Sequence, residues 1–327
     1  MAQRSFFGKA IAGGAVLGNT IGFSGSRNAW AARADIGEVV VERDVPGKPH
    51  KGKVLAAIQA HLDDMPHRYA GTCAKLINEG YTGYLIRTSN DEKCGPGTCA
   101  ENIKSNEQEN LKMAKTLGFT DVFDFYCRNH RMDGISSVEI RSRLIFLFRL
   151  LKVDTVVSMN PWGHGEENPD HWVTAKAVEE ACWMSGMGDD YEEHLEAGVK
   201  PHSVRERYYA VMRPGQPFNR VVDISSTIEQ KILSCAECKS QGGGNSGSKL
   251  RNRLAKEGKR LPILGNDDET ADREYVRHFL IKGWSTFEDM KEKYGLDYAE
   301  RFYYIDQRPP EESEVERYIK GNAVPLR

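Results

Sequence analysis

The residues best suited to chemistry fall into two clusters. His61, Asp63 and Asp64 stand just after the apolar run Val54-Leu55-Ala56-Ala57-Ile58, ahead of Gly71-Thr72. A second run, Val153-Asp154-Thr155-Val156-Val157-Ser158, leads into a Gly-, Pro- and Asn-containing loop that carries His164 and ends Asn168-Pro169-Asp170-His171. One imidazole with two adjacent carboxylates is a weak signal alone, because Asp commonly caps helices. Two such clusters on one sheet edge are a stronger one. They suit a hydrolytic metal site, in which three side chains hold a divalent ion and a fourth position stays open to water.

Each apolar run must then be an element that delivers its polar tail to a common place. A short continuous run bounded by Gly and Lys fits a strand buried on both faces, although a short buried helix has the same pattern. The apolar spacing of Cys73, Leu76 and Ile77, and of Val173, Ala177, Val178 and Ala181, reads as helix after each cluster. Further strands are expected at Tyr84–Thr88 and Val122–Phe125, a long polar loop at 89–105, and helices at 107–117 and 135–151. This alternation predicts an α/β fold: a Rossmann-like, mostly parallel sheet with helices on both faces. Ligands of such sheets bind at the carboxyl ends of the strands, where both clusters lie.

The ordered set of motifs resembles the LmbE/PIG-L family of N-acetylglucosaminyl deacetylases. His61-Leu62-Asp63-Asp64 is similar to that family's His-Pro-Asp-Asp, Gly71-Thr72 to its Gly-Gly-Thr, and Asn168-Pro169-Asp170-His171 to its His-Pro-Asp-His. The helix ending Leu117-Gly118 and the late segments VVDISSTIEQK and CAECKSQ extend the resemblance over roughly Lys53 to Gln241. It implies His61, Asp64 and His171 as ligands of Zn2+, with Fe2+ or Mn2+ as alternatives, and Asp63 as the base for a water that the metal acidifies. The implied substrate is an N-acetylated sugar or glycoconjugate of the N-acetylglucosamine type, losing its acetyl group. Asp170 would orient the residue at 168 during amine protonation. There the chain departs from the pattern, because Asn168 donates a hydrogen bond but no proton, and His164 is the nearby substitute. Leu62, Met65, Asn106 and Cys238 are further departures, Cys238 standing where a histidine is usual. Asn168 motivates a second reading, a catalytically weakened or inactive member that binds carbohydrate or serves as a scaffold.

The 327 residues carry a net charge of −2, which gives no support for a nucleic-acid partner. Residues 1–34 read as an export signal: Arg4 and Lys9 around Phe6-Phe7, a Gly/Ala-rich apolar stretch, and an Ala29-Trp30-Ala31 end. Gln3-Arg4 is similar to a twin-arginine signal with its first arginine replaced, so a periplasmic or extracellular protein without a stable membrane span after cleavage is expected. Residues 35–52 read as a linker with a possible edge strand, 53–282 as the deacetylase-like domain, and 283–327 as a charged, aromatic C-terminal extension. Gln241–Ser248 reads as a flexible insertion by composition. Cys94 and Cys99 could close a small loop in an oxidising compartment.

Overall fold

The computed structural model describes residues 38–284, 287–307 and 313–325. The export segment read at 1–34 lies outside them. One sheet of eight strands, ordered β1-β7-β8-β6-β5-β2-β3-β4, organises the chain. In chain order the strands are β1 (Val40–Glu42), β2 (Val54–Gln59), β3 (Thr82–Ser89), β4 (Asp121–Cys127), β5 (Thr155–Met159), β6 (Glu206–Ala210), β7 (Arg220–Asp223) and β8 (Ala299–Asp306). Every pairing is parallel except those of β8.

The first apolar run is β2, a strand buried on both faces as its pattern suggested. Leu55 and Ala57 enter the core on one side of the sheet, Ala56 and Ile58 the core on the other. Leu55 and Ile58 are fully buried, each worth about 1.5–3 kcal/mol over exposure. Among the described residues the α-helices are α1 (Asp64–Arg68), α2 (Ala70–Asn78), α3 (Cys99–Leu117), α4 (Ser137–Leu151), α5 (Pro169–Met184), α6 (Glu192–Glu196), α7 (Ile228–Glu237), α8 (Ser246–Lys256), α9 (Asp268–Tyr275), α10 (Ile281–Trp284), α11 (Phe287–Tyr294) and α12 (Glu314–Asn322). Residues of α2, α3 and α7 pack in the Leu55 core, residues of α4 and α5 in the Ile58 core.

From β2 the chain moves outward through β3 to β4, then returns to place β5 on the other side of β2. The strand order thus reverses at β2 and β5, and the crevice that opens at such a point is where open α/β sheets bind ligands. Both clusters sit on the segments leaving these two strands.

Three local expectations change. Helix α3 begins at Cys99, so the loop read at 89–105 is shorter than its polarity suggested. Thr98 and Glu101 form a reciprocal capping box, a start signal that outweighs the polar composition of the first turn. Gln241–Ser248 is ordered: Gly244 N–H donates to the Cys238 carbonyl, and α8 starts at Ser246. Residues 299–306 of the segment read as an extension form β8, antiparallel between β6 and β7 and interior to the sheet. The side-chain alternation shows why: Phe302 and Tyr304 pack in one core, Tyr303 and Ile305 in the other. β1 lies at the sheet edge beside β7.

Candidate metal centre and active site

His61 and Asp64 lie on the tight turn that leaves β2. The carboxylate of Asp64 accepts from the backbone N–H of Ala60 at 3.1 Å and of His61 at 2.7 Å, which closes the turn and fixes its own direction. His171 lies in the first turn of α5, whose entry is set by Asn168 as N-cap and Pro169 just inside.

These segments bring together three donor atoms. His61 Nδ1 lies 3.1 Å from His171 Nε2, and His171 Nε2 lies 3.0 Å from Asp64 Oδ1. His61, Asp64 and His171 each offer a ligand atom, all within 4.8 Å of one another. The outer nitrogens explain the arrangement. His61 Nε2 faces Asp170 Oδ2 at 3.0 Å, and His171 Nδ1 faces Glu166 Oε1 at 3.1 Å. Each carboxylate favours the N–H on the nitrogen it faces, so the lone pairs of the inner nitrogens converge with the Asp64 carboxylate. Three converging acceptors call for a cation, and a carboxylate behind each histidine is the usual support of a metal ligand.

The electrostatics agree. Burial alone would lower the His61 pKa, but Asp170 and Asp64 outweigh it and hold the ring well above its usual range. Burial likewise opposes His171, which Asp64 and Glu166 nevertheless raise to about 9. Burial would raise Asp64, yet His171 and His61 hold it well below the carboxylate range. The same groups attract protons and cations alike, so a metal ion binding there competes with protons. Glu166→Gln should weaken zinc affinity roughly 10- to 100-fold, read by titration against a competing chelator.

Asp63 does not join the cluster; it opens onto the same cavity with a quarter of its side chain exposed. Burial first, then the neighbouring Asp64 charge, raises its pKa to about 7, close to the ideal for a proton carrier at neutral pH. His67 stands behind it, Nδ1 3.9 Å from Asp63 Oδ2, and donates from Nε2 to the Gly242 carbonyl at 3.0 Å. Burial, helped by Lys231, pushes His67 down to about 3, so this ring is neutral. Gly242 has φ of +70°, and a Cβ there would lie 2.7 Å from the Asp63 Cβ. Gly242→Ala should therefore displace Asp63 and lower kcat by roughly 10- to 100-fold, with far-ultraviolet circular dichroism unchanged.

The cavity, about 210 Å³, is lined by all three cluster residues, Asp63, His67, Arg68, Cys94, His130, Asn168, Met212, Arg213 and Gln241. Asp170 does not reach it. Its carboxylate accepts from the backbone N–H of His130 at 2.6 Å and of Met132 at 3.2 Å and holds His61, rather than orienting residue 168. Asn168 lines the cavity, but its Oδ1 accepts from the Asp170 N–H, a capping role that suits Asn. His164 is exposed and outside the lining, and its carbonyl accepts from Gln216 Nε2. Loop polarity said nothing about which way that ring would point. Glu166, Arg68, His130 and Arg213 were not singled out from the sequence; for Glu166 the available signal was an acid five positions before a candidate ligand. Cys238 is fully buried against the Leu62 carbonyl, its thiol raised well above the usual range by burial, so it packs rather than exchanges protons. Cys94 and Cys99 are both free thiols.

An open α/β sheet with a two-histidine, one-carboxylate cluster at its switch point defines the class: a domain whose clustered donor atoms could hold a metal ion beside a small cavity. Residues 56–182 match the family model described as PIG-L: GlcNAc-PI de-N-acetylase, which supports the LmbE/PIG-L resemblance over that stretch. The diacetylchitobiose deacetylase of Thermococcus kodakarensis is 26% identical over 202 residues, 58% of this chain and 70% of that protein. Among solved structures, the N,N'-diacetylchitobiose deacetylase of Pyrococcus horikoshii superposes with a TM-score of 0.59 at 20% identity, covering 78% of this chain and 84% of its own. The 4-carboxy-2-hydroxymuconate hydratase of Pseudomonas putida KT2440 superposes with a TM-score of 0.56 at 19% identity, covering 80% and 99%. The fold thus carries more than one reaction, and the site must choose between them.

Proposed function

We propose that this protein is a metal-dependent deacetylase that removes the acetyl group from an N-acetylglucosamine-type sugar or glycoconjugate. The observation that carries this reading is the convergence of His61, Asp64 and His171 beside Asp63 on one cavity. The curated relative and the structural neighbour named as diacetylchitobiose deacetylases support it. The donor set fits Zn2+ best, with Fe2+ and Mn2+ as the other candidates. When bound, such an ion supplies Lewis-acid polarisation of the amide carbonyl and makes water easier to deprotonate.

The chain's own residues do the rest. Asp170 and Glu166 hold the two imidazoles in the tautomers that present their inner lone pairs. Asp63 takes a proton from the attacking water as the C–O bond forms, then returns it to the nitrogen as the C–N bond breaks, releasing acetate and amine. Asn168, on the cavity wall, offers a hydrogen-bond donor to the developing oxyanion but cannot cycle a proton. With His164 turned outward, Asp63 carries both proton transfers. Acetate release from N,N'-diacetylchitobiose by protein loaded with zinc tests the reading. A bound ion without acetate release from any N-acetylated sugar would favour the non-catalytic carbohydrate-binding reading that Asn168 motivates.

Export is part of the same proposal, supported by the residue pattern of 1–34. Mass spectrometry of the protein from its native host should find a chain beginning near Ala32 or Asp35, and an intact Met1 on soluble protein would end the idea. No helix among the described residues is long and apolar enough to cross a membrane.

A further inference from the structure

Gln241 lines the cavity and has no part in the chemistry above. Its neighbours on either side are tied to other elements. The Glu109 carboxylate, on α3, accepts from the Ser240 N–H at 3.1 and 2.9 Å and from the Ser240 hydroxyl at 2.8 Å. His67 donates to the Gly242 carbonyl. Between these anchors the Gln241 side chain donates from Nε2 to Asn106 Oδ1 at 2.9 Å, also on α3. Chemistry fixes which way round both amides stand, because an amide nitrogen only donates and an amide oxygen only accepts. Asn106 Nδ2 faces the carbonyls of Cys94 at 2.7 Å and Asn102 at 2.8 Å, so its oxygen is the atom left for Gln241. Only the NH2 group of Gln241 can meet that oxygen. Gln241 Oε1 therefore remains an acceptor, and no group among the described residues donates to it.

An acceptor held in place on a cavity wall selects a ligand that carries a donor opposite it, since a carbonyl oxygen covered without a partner is costly. The cavity is small, about 210 Å³, so a ligand whose acetamido group lies at the donor cluster meets the wall with its adjacent groups. In a glycoside of N-acetylglucosamine the acetamido-bearing carbon has two ring neighbours. One is the anomeric carbon, whose exocyclic oxygen is an ether and donates nothing. The other, carbon 3, bears a hydroxyl. We propose that Gln241 Oε1 accepts a hydrogen bond from this 3-hydroxyl, so that the site takes 2-acetamido sugars free at oxygen 3 and discriminates against those that lack or mask it. The inference rests on the deacetylase reading for the identity of the sugar. It makes Gln241 a specificity determinant, and Asn106 a positioning residue that acts through it.

The test is direct binding, which needs no turnover. Calorimetry on the full chain loaded with zinc would compare the methyl glycoside of glucosamine with its 3-deoxy and 3-O-methyl counterparts. The parent should bind roughly 10- to 100-fold tighter than either. Gln241→Leu, in protein that still holds its metal, should bring the parent down to the affinity of the 3-deoxy sugar and leave the 3-deoxy sugar unchanged. If Gln241→Leu does not fold, the closer isostere Gln241→Met takes its place. Asn106→Ala, which frees the Gln241 amide to turn, should narrow the gap without closing it. Equal affinity for the three sugars overturns the proposal. So does a preference for the parent that survives the loss of the Gln241 amide. A weakness confined to the 3-O-methyl sugar overturns it too, since that is crowding rather than a lost hydrogen bond. The N-acetyl forms of the same glycosides separate the two readings. Acetate released equally well from the 3-hydroxy and 3-deoxy forms would overturn the contact and leave the deacetylase standing. A binding preference abolished by Gln241→Leu, with no acetate released from any N-acetylated sugar, would instead sink the deacetylase reading and leave the contact standing.

Discussion

Asp63→Asn should leave about one divalent ion bound per chain and lower kcat by roughly 10²–10⁴-fold, the usual worth of general acid–base assistance. His61→Ala and His171→Ala should instead lose the ion, because each removes one of three converging donors. The distinction follows from position: Asp63 faces the cavity but lies outside the donor cluster. Asp63 acts as a base only when ionised, so activity falls as pH drops through its pKa. That pKa is raised to about 7 by burial and the Asp64 charge, and a bound cation pulls it downward, which places the acidic limb of the kcat/KM profile below 7. Asp63→Asn should lack that limb. Metal analysis and a pH series on the three variants decide the matter. Retention of the ion by Asp64→Asn with its loss in Asp63→Asn would reverse the two roles.

The second large effect is on stability. Lys231 Nζ lies 2.6 Å from Glu300 Oε1, both side chains are buried, and Lys231 also donates to the His67 carbonyl at 3.0 Å. The Glu300 carboxylate accepts from the backbone N–H groups of Gly71 at 3.1 Å and Thr72 at 2.8 Å, in the first turn of α2. Lys231→Met leaves that carboxylate buried without its cation and should cost about 3–5 kcal/mol, read from the urea midpoint. Lys231→Met combined with Glu300→Gln should recover much of the loss, because the uncompensated charge is gone. Equal loss in the single and double variants would mean that packing, not charge, sets the cost. Glu300 belongs to β8, so the C-terminal strand helps hold the α1–α2 segment that carries Asp63, Asp64 and His67.

Much of this protein was legible in its residues. The run Val54–Ile58 is continuous and apolar because β2 is covered on both faces, and burial on two sides leaves no polar position to disguise it. His61, Asp63, Asp64 and His171 stand at the ends of such runs, and parallel strands place their carboxyl ends together, so their meeting on one cavity followed from the pattern. Tertiary structure alone decided the partners. Which carboxylate backs which imidazole depends on how α5 and the loop after β4 meet the β2 turn. Asp170 therefore holds His61 across 109 positions of sequence, while Glu166 faces His171. The outward turn of His164 and the meeting of Gln241 with Asn106 are set in the same way, by loop paths without periodic pattern. The place of β8 also escaped the sequence, because antiparallel insertion between β6 and β7 is a long-range pairing, and local alternation can specify a strand but not its neighbours.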